Sequence, residues 1–139
     1  MTTTEITLAF ADGRYRFFLP MTQLNEFEAK HGSILSLEPH LRAGIALDTE
    51  GRAIYTGGGE AEAKAIREVV RQALIGGNRA TIDGVIAEVG PNRARELVDA
   101  YVYPAQPLGD GAALAWRILA AAIYGTEPEA EEGKGAPDV

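Results

Sequence analysis

The sequence predicts an α+β fold that is mainly helical, and three observations carry that prediction. The chain opens on two short alternating runs around Asp12-Gly13, Ile6-Thr7-Leu8-Ala9-Phe10 and Tyr15-Arg16-Phe17, the second running on into Phe18-Leu19, which is the strongest short hairpin signal. From residue 60 onward the apolar residues recur at helical rather than strand spacing. The third observation is a long apolar run, Ala112 to Tyr124, thirteen residues interrupted only by Arg117. A bilayer-spanning helix needs about 20 apolar residues, so this run reads as a buried helix or a partner surface, not an anchor.

In the first hairpin, Ile6, Leu8 and Phe10 share one face of the first strand and Tyr15 and Phe17 one face of the second, because side chains alternate along a strand. Pro20 ends the pair. Thr22 reads as the N-cap of a short helix from Gln23 to His31, with Leu24 and Phe27 as its stripe and Gly32 at its C′ position. Ser36 opens a second short helix, about Leu37 to Ala43, with Ile34, Leu37 and Leu41 inward and Pro39 in the first turn, where a missing N–H costs nothing. Ile45-Ala46-Leu47 and Arg52-Ala53-Ile54-Tyr55 flank Asp48-Thr49-Glu50-Gly51 as a second hairpin. Gly57-Gly58-Gly59 reads as a flexible break.

Glu60 to Ile75 is the clearest helix, with a stripe of Ile66, Val69, Val70, Ala73 and Leu74. Gly76-Gly77-Asn78 reads as its stop. Thr81 to Val89 reads as a further helical segment, at a cost of up to about 1 kcal/mol for the internal Gly84. After Gly90-Pro91, Asn92 to Val102 is helical, with Ala94, Leu97, Val98 and Tyr101 on one face; Pro104 and Pro107 close it. Asp110 caps the final helix, Gly111 to Tyr124, which is apolar nearly all round and so sits at the centre of a bundle or against another chain. The prediction is one or two hairpins packed on four to six helices. Residues 1–125 form a single domain and residues 126–139 an acidic, disordered tail.

Charge and composition bound the function. In the tail, Glu127, Glu129, Glu131, Glu132 and Asp138 stand against Lys134 alone, so it carries −4 of the formal −7 and the body about −3. Such a body lacks the basic face that nucleic-acid binding requires. The sequence has no cysteine, which removes disulfides, thiolate metal sites and a cysteine nucleophile. The first twenty residues alternate and carry charges, unlike a secretory signal. No membrane association and a cytoplasmic location are therefore expected.

The residue types that carry chemistry form no catalytic constellation, and no catalytic, cofactor-binding or metal-ligating residue is assigned. His31 and His40 are the only histidines. They lie nine residues apart across Gly32, which matches no metal-ligand spacing on one helix. Gly57-Gly58-Gly59 lacks the Gly-Lys-Ser/Thr ending of a phosphate loop, and Glu60 and Glu62 occupy the place an anion would take. Glu26 and Glu28, two apart on a helix, do not face each other. Ser33 and Ser36 stand in no nucleophile motif. The sole tryptophan, Trp116, lies on the apolar final helix with Leu119, Ile123 and Tyr124. These four are the candidate protein-interaction surface.

Three stretches taken in order resemble the gene-transfer-agent family of phage tail proteins. They are the hairpin leading into Met21-Thr22-Gln23-Leu24-Asn25-Glu26-Phe27-Glu28-Ala29-Lys30-His31-Gly32; Ile66-Arg67-Glu68-Val69-Val70-Arg71-Gln72-Ala73-Leu74-Ile75-Gly76-Gly77; and Ala94 to Tyr103, followed by Pro107-Leu108 and the alanine-rich helix through Gly125. The resemblance spans roughly residues 5–125, and the chain departs from it at Leu47 to Gly59, where the family implies a shorter link. It implies a non-enzymatic role in phage, prophage or gene-transfer-agent particles: a tail assembly chaperone that binds the tape-measure protein while the tail tube polymerises. Other tail proteins and a homo-oligomer are further implied partners. A structural tail tube component is the alternative, and a small helical regulatory or enzyme-associated domain a second.

Overall fold

The computed structural model describes residues 2–127. The acidic tail, apart from Thr126 and Glu127, lies outside the described residues. In chain order the elements are β1 (Ile6–Phe10), β2 (Gly13–Phe17), α1 (Met21–His31), α2 (Ile34–Arg42), β3 (Ile45–Leu47), β4 (Ala53–Tyr55), α3 (Ala63–Gly77), β5 (Ala80–Ile82), β6 (Val85–Ala87), α4 (Pro91–Tyr101) and α5 (Leu108–Tyr124). The fold is α+β and mainly helical, with the N-terminal hairpin packed against helices.

β1 and β2 pair antiparallel, Ile6 opposite Phe17 and Leu8 opposite Tyr15. This register gathers the apolar residues of both strands on one face, as the alternation requires. The rings of Tyr15, Phe17 and Tyr101 (from α4) meet Phe10 edge-on, at centroid distances of 5.6, 5.5 and 5.9 Å.

The segment 81–89 is not helical. It forms β5 and β6, antiparallel, with Ile82 opposite Val85. Asp83 and Gly84 both take positive φ, 51° and 80°, the signature of a tight primed turn, which an Asp-Gly pair adopts readily. Gly84 is therefore a turn residue and not a weak point in a helix. β5 adds to β2, Tyr15 opposite Ala80, so the sheet has the order β1-β2-β5-β6 and β3-β4 stands as a separate pair.

Several helix ends also differ from the reading of the sequence. α1 starts two residues early, after Pro20 rather than Thr22. α2 starts at Ile34, and Ser33 caps it by accepting from Leu35 N–H at 3.1 Å. Pro39 thus falls in the body of α2 and withholds the hydrogen bond that Leu35 C=O would receive. α3 starts at Ala63 because the chain stays extended through Glu62. α5 starts at Leu108, which places Asp110 in its first turn, favourably for the helix dipole.

The largest correction concerns Gly76 and Gly77. They lie inside α3, and Asn78 ends the helix in the left-handed conformation, φ 50°. The glycines are needed for space. A Cβ on Gly76 would stand 2.2 Å from the Phe18 carbonyl oxygen and 2.4 Å from Pro20 Cδ; one on Gly77 would stand 1.9 Å from the Arg16 carbonyl oxygen. The last turn of α3 therefore rests directly on the main chain of β2. Phe18 N–H donates to Ala73 C=O at 3.1 Å and the Arg16 guanidinium to Gly77 C=O at 2.9 Å. From this seat α3 touches α1, α4 and α5, and its Val69, Val70, Ala73 and Leu74 are fully buried.

Gly77→Ala is expected to cost about 3 kcal/mol in urea unfolding, because backbone on both sides prevents relaxation. Gly90→Ala is the control. Gly90 lies at an ordinary φ of −85°, and a Cβ there meets nothing within 4 Å, so its cost is expected to stay below about 1 kcal/mol. Equal losses would show that the α3–β2 contact is not tight.

Candidate interaction surface

α5 does not present its four candidate residues as one face. Leu119 is fully buried in the core, Trp116 and Ile123 are half-buried, and Tyr124 is 62% exposed. The helical repeat explains the split, since it sets Leu119 and Tyr124 roughly 140° apart around the axis. Leu119 turns toward the core with Ala115 and Ile118. Trp116 and Tyr124, two turns apart, converge instead on Glu38 of α2.

Glu38 is the residue that reading the sequence missed. Its carboxylate is only 2% exposed, yet it is fully engaged. Oε2 accepts from Trp116 Nε1 at 3.0 Å and from Arg42 Nε at 2.9 Å; Oε1 accepts from the Tyr124 hydroxyl at 2.9 Å and from Arg42 Nη2 at 3.2 Å. Desolvation pushes its pKa up, but the bonds from Trp116, Tyr124 and Arg42 together outweigh that cost and hold it below its ordinary value. The signal in the sequence is a glutamate inside the apolar stripe of Ile34, Leu37 and Leu41, four residues before an arginine.

A second polar junction joins α1 to α3. Glu68 accepts from Arg71 at 2.8 Å and from Gln72 Nε2 at 2.9 Å, with Lys30 at 4.0 Å. Gln72 is itself buried and reaches Glu26 at 3.5 Å. Burial again raises the Glu68 pKa, and Arg71, Gln72 and Lys30 again bring it below the ordinary value. A third junction ties the first turn to α4: Tyr15 donates to Asp12 at 2.6 Å and Arg93 pairs with Asp12 at 3.3 Å. In the first two the close ion pair lies within one helix, Glu38 with Arg42 and Glu68 with Arg71, and the links between elements are made by Trp116, Tyr124, Gln72 and the more distant Lys30; in the third the ion pair itself crosses.

The histidines are placed apart. His31 stacks on Phe27 at 5.1 Å. His40 lines a depression of about 180 Å³ where α2, the glycine loop, α3 and α5 meet, with Leu41, Tyr55, Ile66 and Leu108. The loop Gly57-Gly58-Gly59 is tied down: Tyr55 O–H donates to Gly58 C=O at 3.0 Å, and Glu60 N–H to His40 C=O at 3.3 Å. Among the described residues, no three His, Cys, Asp or Glu side chains cluster as a metal set would, and no helix is long and apolar enough to cross a membrane.

Apolar side chains stand in solvent on two of the hairpins. Leu47, Ile54 and Tyr55 are 60%, 44% and 46% exposed on β3-β4, and Val85 and Ile86 are 65% and 62% exposed on β6. β6 is also a sheet edge, with one row of main-chain groups unpaired by the sheet. No family model, curated protein or solved structure matches the chain.

Glu38 and Glu68 contribute to the acid limb of stability, beside Asp48, whose pKa is also lowered, chiefly by the Arg52 backbone N–H. Both glutamates have folded pKa values below the ordinary 4.5. Their contribution is therefore complete above that value and is lost as pH falls through the folded values. Unfolding free energy measured by urea titration is expected to be flat from pH 7 to about 5 and to fall below. E38Q, which keeps the shape but loses the charge, is expected to cost about 1–3 kcal/mol at pH 7 and to flatten the acid limb. An unchanged acid limb in E38Q would remove Glu38 from this account.

Proposed function

We propose that this protein acts by binding other proteins, as a non-enzymatic tail assembly chaperone of a phage, prophage or gene transfer agent that engages the tape-measure protein during tube polymerisation in the bacterial cytoplasm. The observation that carries the binding part is the set of large apolar side chains left in solvent on short hairpins: Leu47, Ile54 and Tyr55 on one, Val85 and Ile86 on the other. Exposed apolar surface favours association in proportion to the area a partner covers. The choice of partner rests on the resemblance of the three ordered stretches, which fall on α1, α3, α4 and α5. The stretch that departs from the family, Leu47 to Gly59, falls on the β3-β4 hairpin and the loop after it.

One observation favours the tail tube reading as an alternative. β6 is an apolar edge strand, and strand addition across such an edge is how subunits join sheets. Three residues make a short edge, and the tube would have to recruit more backbone than β6 offers.

Co-expression with the adjacent tape-measure protein separates the two readings. The chaperone reading expects a soluble complex that co-purifies. Leu47→Asp and Ile54→Asp are expected to weaken it tenfold or more, while the variant's own melting temperature holds within a few degrees, since both side chains are exposed. Hollow tubes formed by the chain alone, with no complex, would overturn the chaperone and favour the tube.

A further inference from the structure

We infer that α2 together with the β3-β4 hairpin forms a hinged cover over α5 that opens as one unit, with the Glu38 cluster as its latch. The first support is connectivity in space. α2, β3 and β4 pack on α5 and on one another, and they make no comparable contact with α3, α4 or the four-stranded sheet. The second is the pair of connectors. Gly32, at φ 83°, precedes α2, and Gly57, Gly58 and Gly59, at φ 105°, 83° and 80°, follow β4. Glycine crosses these regions of backbone space at little cost, so the segment is bounded at both ends by glycines, and the second connector can swivel once the Glu60 N–H bond to His40 C=O breaks. Bonds to its flanks lie near those connectors: Glu28 accepts from Ile34 N–H at 2.9 Å, and Glu60 N–H reaches His40 C=O.

The seam beneath the cover is the third support. It holds a depression of about 180 Å³ between Leu41, Tyr55, Leu108 and Ala112, so these side chains do not close fully on one another there. The seam is held by apolar contact of Ile34 and Leu41 with the core and by directional bonds at Glu38. Glu38 receives its only bonds from α5 through Trp116 Nε1–H and the Tyr124 hydroxyl, and both donors are carried by side chains that water can reach once the cover lifts. Ile34, Glu38 and Leu41 are buried at spacings of four and three, so one helical stripe leaves α5 in a single motion. Opening uncovers the α5 face that carries Trp116. That this face then takes up a client rests on the reading proposed above; the opening itself does not.

Native-state hydrogen exchange on the full chain at neutral pH, repeated over a series of low urea concentrations, tests it. Reporters of the seam are the Trp116 indole N–H, bonded to Glu38, the Ile34 amide, bonded to the Glu28 carboxylate, and the Glu60 amide, bonded to His40 C=O; the reporter outside is the Asn78 amide, bonded to Leu74 C=O. The expected result is that the seam N–H groups share one urea dependence and exchange at least tenfold faster than Asn78 and the rest of α3, while the amides of Ala43 and Thr56, bonded inside the cover, exchange more slowly than the seam. E38Q and Y124F are expected to speed exchange of the seam about fivefold or more, leaving α3 unchanged. Tyr124→Phe removes only the hydroxyl of a largely exposed side chain and leaves the core intact, so it answers even if E38Q folds poorly. Seam N–H groups that exchange no faster than α3, that exchange each with its own urea dependence, or that speed up only together with α3 in both variants would overturn the proposal.

Discussion

The last turn of α3 lies so close to the main chain of β2 that no side chain fits between them, and the positions of the other elements follow from that seat. Gly76 and Gly77 meet the carbonyls of Phe18 and Arg16, and Arg16 N–H donates to Arg79 C=O at 3.0 Å just beyond the helix. Because Asn78 turns the chain left-handed immediately after this contact, β5 is delivered alongside β2. The Asn78 side chain then accepts from Val89 N–H at 2.9 Å, so one residue both ends the helix and anchors the exit of the second hairpin. α1, α4 and α5 surround the same helix. A methyl group at residue 77 would push α3 off the sheet and disturb all of these contacts together.

Apolar burial brings the helices together without prescribing their register, since it has no direction. The polar junctions supply direction. Buried Gln72, held by Glu68 on its own helix, reaches from α3 to Glu26 of α1, and Glu38 with Trp116 and Tyr124 joins α2 to α5. Glu38 is the buried acceptor of the second, and a buried carboxylate without its donors is costly. The aromatic members of α5 are thus structural donors as well as candidate contact residues, which ties any binding role of that helix to the state of α2.

How much of this was legible in the sequence depended on how many residues a pattern had to speak through. The first hairpin, with five residues in each strand, and the stripe of α3 were readable. Residues 80–87 were not, because strands of three residues alternate too briefly to be told from helical spacing; the Asp83-Gly84 pair was the better witness and was read as a flaw in a helix. Gly76-Gly77 was read through conformation, as a stop, when its reason is the backbone lying against it, which no local pattern reports. Of the four residues chosen on α5, Trp116 and Tyr124 do share a site, Leu119 belongs to the core, and the carboxylate that unites the first two sits 78 positions before Trp116. A polar residue within an apolar stripe was the only trace of it.

The pairing of β2 with β5 has a consequence for the order in which the chain acquires its structure. Strand β2 ends at Phe17, and the strand it needs begins at Ala80, so the sheet closes a loop of about half the described chain. Closing such a loop costs entropy before it gains contacts, and long-range strand pairing slows folding for that reason. During synthesis the N-terminal hairpin emerges early but keeps an open edge until residues 80–87 have left the ribosome. Through that interval the apolar face of Ile6, Leu8, Tyr15 and Phe17 is exposed to whatever else is nearby. A protein whose own edge waits so long for its partner carries, for its first moments, the same kind of uncovered apolar surface that we propose it later shields on another chain.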